Sequence, residues 1–242
     1  MNKLPTHKRV MILNMLLEGM SMRAVFRIVG VSINTVTKML VEASEACAAY
    51  HDETAHNFKA NRVQCDEIWL FCYAKDKNMK IAKAAPEGAG DVWTWTAIEA
   101  DSKMILSYEV GDRSAATAIE FMDDLCARLA NRVQLTTDGH KAYLEAVEGA
   151  FGVDIDYAML IKLYGDLGGK TVEREYSPAE CTKIKKRSVE GNPDKAYIST
   201  SYVERQNLTM AHGDAPLHSP DQRLQQEAGK SPARAFALLC AL

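Results

Sequence analysis

The sequence predicts an α/β protein in which a small N-terminal helical module precedes a mixed β-sheet domain flanked by helices. The first forty residues hold three segments of helical apolar period, separated by a glycine or a capping serine and rich in Lys and Arg. From residue 61 the period shortens to the two-residue alternation of a strand. Further along, strand-like runs are interleaved with amphipathic stretches, as α/β sheets require.

The length of 242 residues accommodates one large domain and a small module, and a hydrophobic fraction of 47% suffices for a packed core. A net charge of −3 argues against wholesale coating of nucleic acid, but the local distribution differs. Residues 1–40 set Lys3, Lys8, Arg9, Arg23, Arg27 and Lys38 against Glu18, six charges against one and a net of +5. Glu42, Glu45, Asp52 and Glu53 against Lys59 then reverse the sign, which marks a boundary. The six cysteines form no Cys-x-x-Cys pair, so they read as reduced packing residues. No apolar run reaches the roughly 18 residues of a membrane span, and no leader pattern opens the chain. The expected location is the cytoplasm, at the nucleoid when bound to DNA, with no membrane partner.

Residues 7–18 place Val10, Ile12, Leu13, Met15, Leu16 and Leu17 on a broad apolar surface ended by Glu18-Gly19, which predicts the first helix. Ser21 caps a second helix through Met22, Val25 and Ile28 to Gly30, where the chain turns. Ser32 caps a third, from Ile33 to about Glu42. Two short helices joined by Gly-Val-Ser match a helix-turn-helix over residues 1–45, whose second helix enters the major groove of double-stranded DNA. Val36 faces the core, while Asn34, Thr35 and Lys38 are available to DNA, Asn34 for a base edge and Lys38 for phosphate. Phe26 stands where close helix packing favours alanine, so the pair splays or the ring turns outward. The segment from Glu42 to Ala60 begins as a helix rich in Ala and Glu and becomes polar near His51-Asp52-Glu53-Thr54; residues 46–60 read as a linker, with His51 and His56 solvent-exposed.

The second domain spans residues 61–210. Asn61–Tyr73 reads as a strand whose alternation sends Asp66 and Glu67 to opposite faces, so that only one joins a given site. A basic loop with Lys75, Lys77, Lys80 and Lys83 leads to strands at 91–100 and 104–110, joined by the turn Asp101-Ser102-Lys103. Ser114–Leu129 is an amphipathic helix with Ala118, Phe121, Met122, Leu125 and Leu129 on one side. A short strand, Val133–Thr137, closes on Asp138-Gly139 before a helix over 141–150. This order is that of a ribonuclease-H-like mixed sheet, which sets Asp66 on its central strand beside Asp138 at the end of the fourth.

The chemistry gives the arrangement its sense. Magnesium binds one or two carboxylates together with waters and phosphate oxygens. Two such ions about 3.5–4 Å apart activate the attacking hydroxyl and stabilise the leaving oxygen of a phosphodiester. Clustered carboxylates repel unless a cation joins them.

Asp-Glu-Ile-Trp at 66–69, Thr-Asp-Gly-His-Lys-Ala-Tyr at 137–143 and Tyr-Val-Glu-Arg-Gln-Asn-Leu-Thr at 202–209 together resemble the insertion-sequence transposases of the IS1 family, over roughly residues 1–210. The resemblance implies a catalytic and metal-binding triad of Asp66, Asp138 and Glu204, with Mg²⁺, or Mn²⁺ in its place, as cofactor. It implies metal-dependent cleavage and transfer of DNA strands at the element's terminal repeats into target DNA, by a homo-oligomer. Arg205 and Asn207, on the helix opened by Glu204, are candidate DNA or supporting contacts. Lys183, Lys185, Lys186 and Arg187, flanked by Pro178 and Pro193, fit a mobile insertion facing DNA. His140 and Lys141 are placed to meet phosphate, and Trp69 is favoured as a packing residue.

After Met210 the resemblance stops. Pro216 and Pro220 exclude a continuing helix, and the basic amphipathic helix expected of the family is missing. A frame shift near codon 211 accounts for residues 211–242 as an unrelated tail, leaves Glu204 on a helix of about two turns, and points to an inactive copy. The alternatives are a helix-turn-helix transcriptional regulator with an α/β sensing domain, or a metal-dependent DNA nuclease of the same fold.

Overall fold

The computed structural model describes residues 4–72, 74–81, 85, 89–164 and 181–213. Lys83, Pro178 and the tail from residue 214 onward lie outside the described residues.

Three helices open the chain, α1 (Thr6–Leu17), α2 (Met22–Val29) and α3 (Ile33–Thr54). Ser21 Oγ accepts from Ala24 N and Ser32 Oγ from Thr35 N, both at 3.2 Å, so each serine satisfies one backbone donor that its helix leaves open. Gly30 takes the left-handed conformation at φ 69°, a turn that costs glycine little, and α2 meets α3 at 114°. Ile12, Leu16, Met22, Val25, Val29, Val36, Met39 and Leu40 form the module's core. Phe26 is half-buried and packs against the margin of this core. Val10 is exposed, so the apolar surface read on α1 is narrower than its sequence suggests.

The helix expected to begin the connecting segment runs on through its polar part, so that the linker read over 46–60 is helical as far as Thr54. α3 continues to Thr54 through Ala46, Ala48 and Ala49, strong helix formers, and its end is docked on the sheet domain. His51, expected in solvent, is buried, with Nε2 3.0 Å from Ile105 O and its ring 5.7 Å from that of Tyr108. The buried Arg128 reaches Asp52 at 2.6 Å, Asp124 at 2.7 Å and Ala55 O at 3.4 Å. The contacts of His51, and those of Arg128 with Asp52 and Ala55, lie far apart in sequence, and local polarity gives no sign of them.

The second domain runs β1 (Arg62–Cys72), a short 3₁₀ helix (Asp76–Ile81), β2 (Gly90–Glu99), β3 (Ile105–Gly111), α4 (Ala115–Arg128), β4 (Gln134–Thr137), α5 (Ala142–Phe151), β5 (Asp156–Tyr164), β6 (Cys181–Glu190) and α6 (Ser201–Gly213). Its six-stranded mixed sheet has the order β3-β2-β1-β4-β5-β6. β4 is parallel to β1 and β5 to β4, and the remaining neighbours are antiparallel. On one face α4 and α5 close over Val63, Cys65, Trp95, Leu135 and Tyr157. On the other, α6 packs on β1 and β2. Gln64 of β1 caps it, its Oε1 accepting from Tyr202 N at 2.9 Å and Val203 N at 3.3 Å.

β5 and β6 add to the elements read from sequence. The basic run Lys183, Lys185, Lys186 and Arg187 is strand β6 at the sheet edge, instead of a loop insertion. Its alternation is charged on both faces, so the apolar half of a strand pattern is lacking, and backbone pairing to β5 holds it in place. α6 extends through Gly213, three residues past Met210, so Glu204 stands in a 13-residue helix instead of one of two turns. Among the described residues no single helix is long and apolar enough to cross a membrane.

Candidate functional site

The alternation of β1 turns Asp66 toward α6 and Glu67 toward α4 and α5, as expected of successive strand residues. Even so, both carboxylates reach one place. β4 ends at Thr137, which pairs with Cys65, so Asp66 and Glu67 lie beyond the last β1–β4 pair. Asp138 follows directly into this opening at the strand end. Ligand oxygens of Asp66, Glu67 and Asp138 lie within 4.8 Å of one another. The expectation that only one of Asp66 and Glu67 joins the site is thereby corrected: an open strand end is accessible from both faces of the sheet.

Local contacts fix that end. Thr137, fully buried, shares a hydrogen bond of 2.9 Å with the Tyr157 hydroxyl. Asp138 Oδ1 accepts from His140 N at 2.8 Å, the side-chain turn typical of Asp before Gly. A Cβ on Gly139 would stand 3.3 Å from the Ile161 side chain, so glycine permits this close approach to β5.

The environment opposes negative charge. Burial first, then the charges of Asp138 and Glu204, push the Asp66 carboxyl up to about 7, although Asn207 Nδ2 donates to its Oδ2 at 3.0 Å. Glu67 is likewise pushed up to about 7 by burial and by Asp138, against the pull of the Tyr143 hydroxyl and of Arg113, whose guanidinium donates to Glu67 Oε2 at 3.0 Å. The same guanidinium is 3.8 Å from Asp138 Oδ2. Asn207 Oδ1 is a buried acceptor with no hydrogen-bond partner among the described residues, and buried Glu67 Oε1 has the Tyr143 hydroxyl as its neighbouring donor. Carboxylate oxygens that repel one another at close range are the donor set of a hard cation. Asp66, Glu67 and Asp138 could hold a metal ion.

Glu204 stands apart from that trio. Lys162 of β5 forms an ion pair with its Oε2, and the Thr200 hydroxyl donates to its Oε1. Its charge still reaches Asp66, but its oxygens are outside the group of three. Asn207, read as a candidate DNA contact, is buried against Asp66, whereas Arg205 is exposed. On α3, Asn34 and Lys38 are exposed, Lys38 lying 3.7 Å from Glu42. The Thr35 hydroxyl is taken up in the helix cap with Ser32 Oγ at 2.8 Å. Lys183, Lys185, Lys186 and Arg187 are all exposed on β6, Lys186 Nζ donating to Lys195 O at 2.9 Å.

His140, read as a possible phosphate contact, is half-buried. Its ring packs 5.7 Å from that of Trp95 and 6.2 Å from that of Tyr143, and burial together with Arg113 lowers its pKa. Arg113 and Lys162 escape a reading by sequence because each sits in an unremarkable stretch far from the carboxylate it meets.

No family model matches the chain, and no curated protein matches it.

Proposed function

We propose that this chain is a DNA transposase of the insertion-sequence type, with Asp66 and Asp138 at the centre of a divalent-metal site that processes phosphodiester bonds. The observation that carries this reading is the convergence of Asp66, Glu67 and Asp138 at the open ends of β1 and β4. The strand order β3-β2-β1-β4-β5, with β2 alone running antiparallel to β1, supports a ribonuclease-H-like assignment. Bound Mg²⁺, or Mn²⁺, would supply activation of the attacking oxygen and neutralise charge on the phosphate. Asp66 and Asp138 would hold it, with Glu67 as a further donor; Asn207 orients Asp66, and Lys162 restrains Glu204. Glu204 stays the third member of the expected triad, and its release from Lys162 would bring a fourth carboxylate to bear on the site.

The basic N-terminal module supports DNA recognition. Its α2–α3 turn and the exposed Asn34 and Lys38 suit a helix-turn-helix whose second helix enters the major groove. Exposed Arg205 and the basic edge strand β6 are further sites for phosphate.

Incubating the full chain with end-labelled DNA of its flanking repeats and a target plasmid tests the reading. Nicking and joining that require Mg²⁺ or Mn²⁺ and vanish in Asp66→Ala are expected. Cleavage without joining identifies a nuclease, and metal-independent binding without cleavage refutes both enzymatic readings.

A further inference from the structure

Beside Glu67, the face of β1 and β2 carries aromatic rings that the core does not use. Trp69 pairs with Trp93 in the antiparallel register, two residues along β1 from Glu67 and on the same face. Phe71 continues the row, its ring centroid 5.8 Å from that of Trp69. All three are half-buried, and none belongs to the apolar clusters of the described residues. Trp95, one position further in on the same face, shows what a structural indole looks like here. It is fully buried, 5.2 Å from Tyr143 and 6.0 Å from Phe121, with Nε1 donating to Asp112 O at 3.0 Å.

The outer rings are instead attended by cations. Lys75 Nζ lies 4.5 Å from the Trp69 centroid and 5.6 Å from that of Phe71. Arg113 Cζ lies 4.6 Å from the Trp93 centroid while its guanidinium is bonded to Glu67. One arginine therefore joins the aromatic row to the carboxylate cluster, and Trp69 is better described as a rim residue than as the packing residue expected from sequence.

We propose that Trp69, Trp93 and Phe71 form a stacking surface for unpaired nucleobases of the DNA strand whose phosphate is processed at Asp66, Glu67 and Asp138. This rests on the DNA-processing reading above. A π face accepts any base, and cations interleaved with aromatic rings meet the phosphates between bases, the combination by which single strands are held without sequence readout. Two residues of strand separate Trp69 from Glu67, about 7 Å, so a base on the indole belongs to a nucleotide next to the reacting phosphate. A base inside a duplex keeps its faces against its neighbours, so the surface selects a frayed or single-stranded end. Arg113, which bridges Glu67 and Trp93, is the group placed to move from the carboxylate to the incoming phosphate.

The test uses the full chain and a short oligonucleotide with 2-aminopurine at successive positions, single-stranded and as a duplex, in Ca²⁺ and in Mg²⁺. Fluorescence quenched at one or two adjacent positions of the single strand is expected. Trp69→Ala and Trp93→Ala should each weaken its binding by about tenfold or more, and Trp93→Phe should keep most of both signals. Binding with no quenching at any position would overturn the surface, as would a doubly Ala-substituted chain that melts normally and binds like the parent. Should the Ala variants not fold, quenching by the parent chain and by Trp93→Phe decides. Quenching without metal-dependent cleavage refutes the transposase reading and leaves the surface standing; cleavage without quenching does the reverse, and no binding to DNA refutes both.

Discussion

Asn207 of α6 donates its amide to Asp66 Oδ2 of β1 at 3.0 Å, joining residues 141 positions apart. The side chain is buried, and its other polar atom, Oδ1, has no partner among the described residues. An amide so placed fixes the direction of the carboxylate and leaves an acceptor facing the site. Asn207→Ala should lower divalent-metal affinity by about tenfold or more, as loss of a group that orients a ligand does. Isothermal titration with Mn²⁺ would measure it, and an unchanged affinity would contradict the role.

Metal should stabilise the fold as well as serve chemistry. Carboxylates that repel one another in the free protein gain a shared cation, and a ligand at about one hundred times its dissociation constant adds about 2.7 kcal/mol. Calorimetric melting in Mg²⁺ or Mn²⁺ should show a rise for the parent chain that is lost in Asp138→Asn. In metal-free buffer, Asp138→Asn should melt at or above the parent, because it removes a repelling charge.

The raised carboxyls give a pH dependence of definite sign. Asp66 and Glu67 titrate at about 7 in the folded chain, against about 4 when unfolded. Between these values the folded state holds protons that the unfolded state has released, so stability falls as pH rises from about 4 through about 7. The fall should be on the order of 2–4 kcal/mol in metal-free protein, and Glu67→Gln should flatten part of it. Urea denaturation at several pH values would show it, and stability that climbs across this window would refute the assignment.

Arg128 joins α4 to the end of α3 through Asp52, Asp124 and Ala55 O. Its carboxylate partners keep contact with water, so the loss on removing it is moderate. Arg128→Ala should cost about 1–3 kcal/mol, and limited proteolysis should cleave near residues 50–58 sooner than in the parent chain.

Much of the site could be read from the sequence because its parts are local. Asp138-Gly139 closes a strand, and Asp66 lies in an alternating run, so both acidic positions follow from period and turn chemistry. Ser21, Gly30 and Ser32 likewise announce the three-helix module. What escaped depends on contacts made elsewhere. Glu67 joins the cluster only because β4 stops one pair short of Asp66, a relation between two strand lengths. His51 is buried by a strand that begins 54 residues later, and β6 is exposed from Cys181 to Ser188, so no apolar alternation marks it.

The unbroken α3 has a consequence for the geometry of the whole molecule. Its 22 residues extend about 33 Å and carry, in one rigid rod, both the segment proposed to enter a DNA groove and the end anchored by His51 and Asp52. The heading of the N-terminal module about that axis is therefore counted out in residues. One residue inserted between Lys38 and His51 would swing the module through about 100°, whereas three or four together would nearly restore its azimuth at a longer reach.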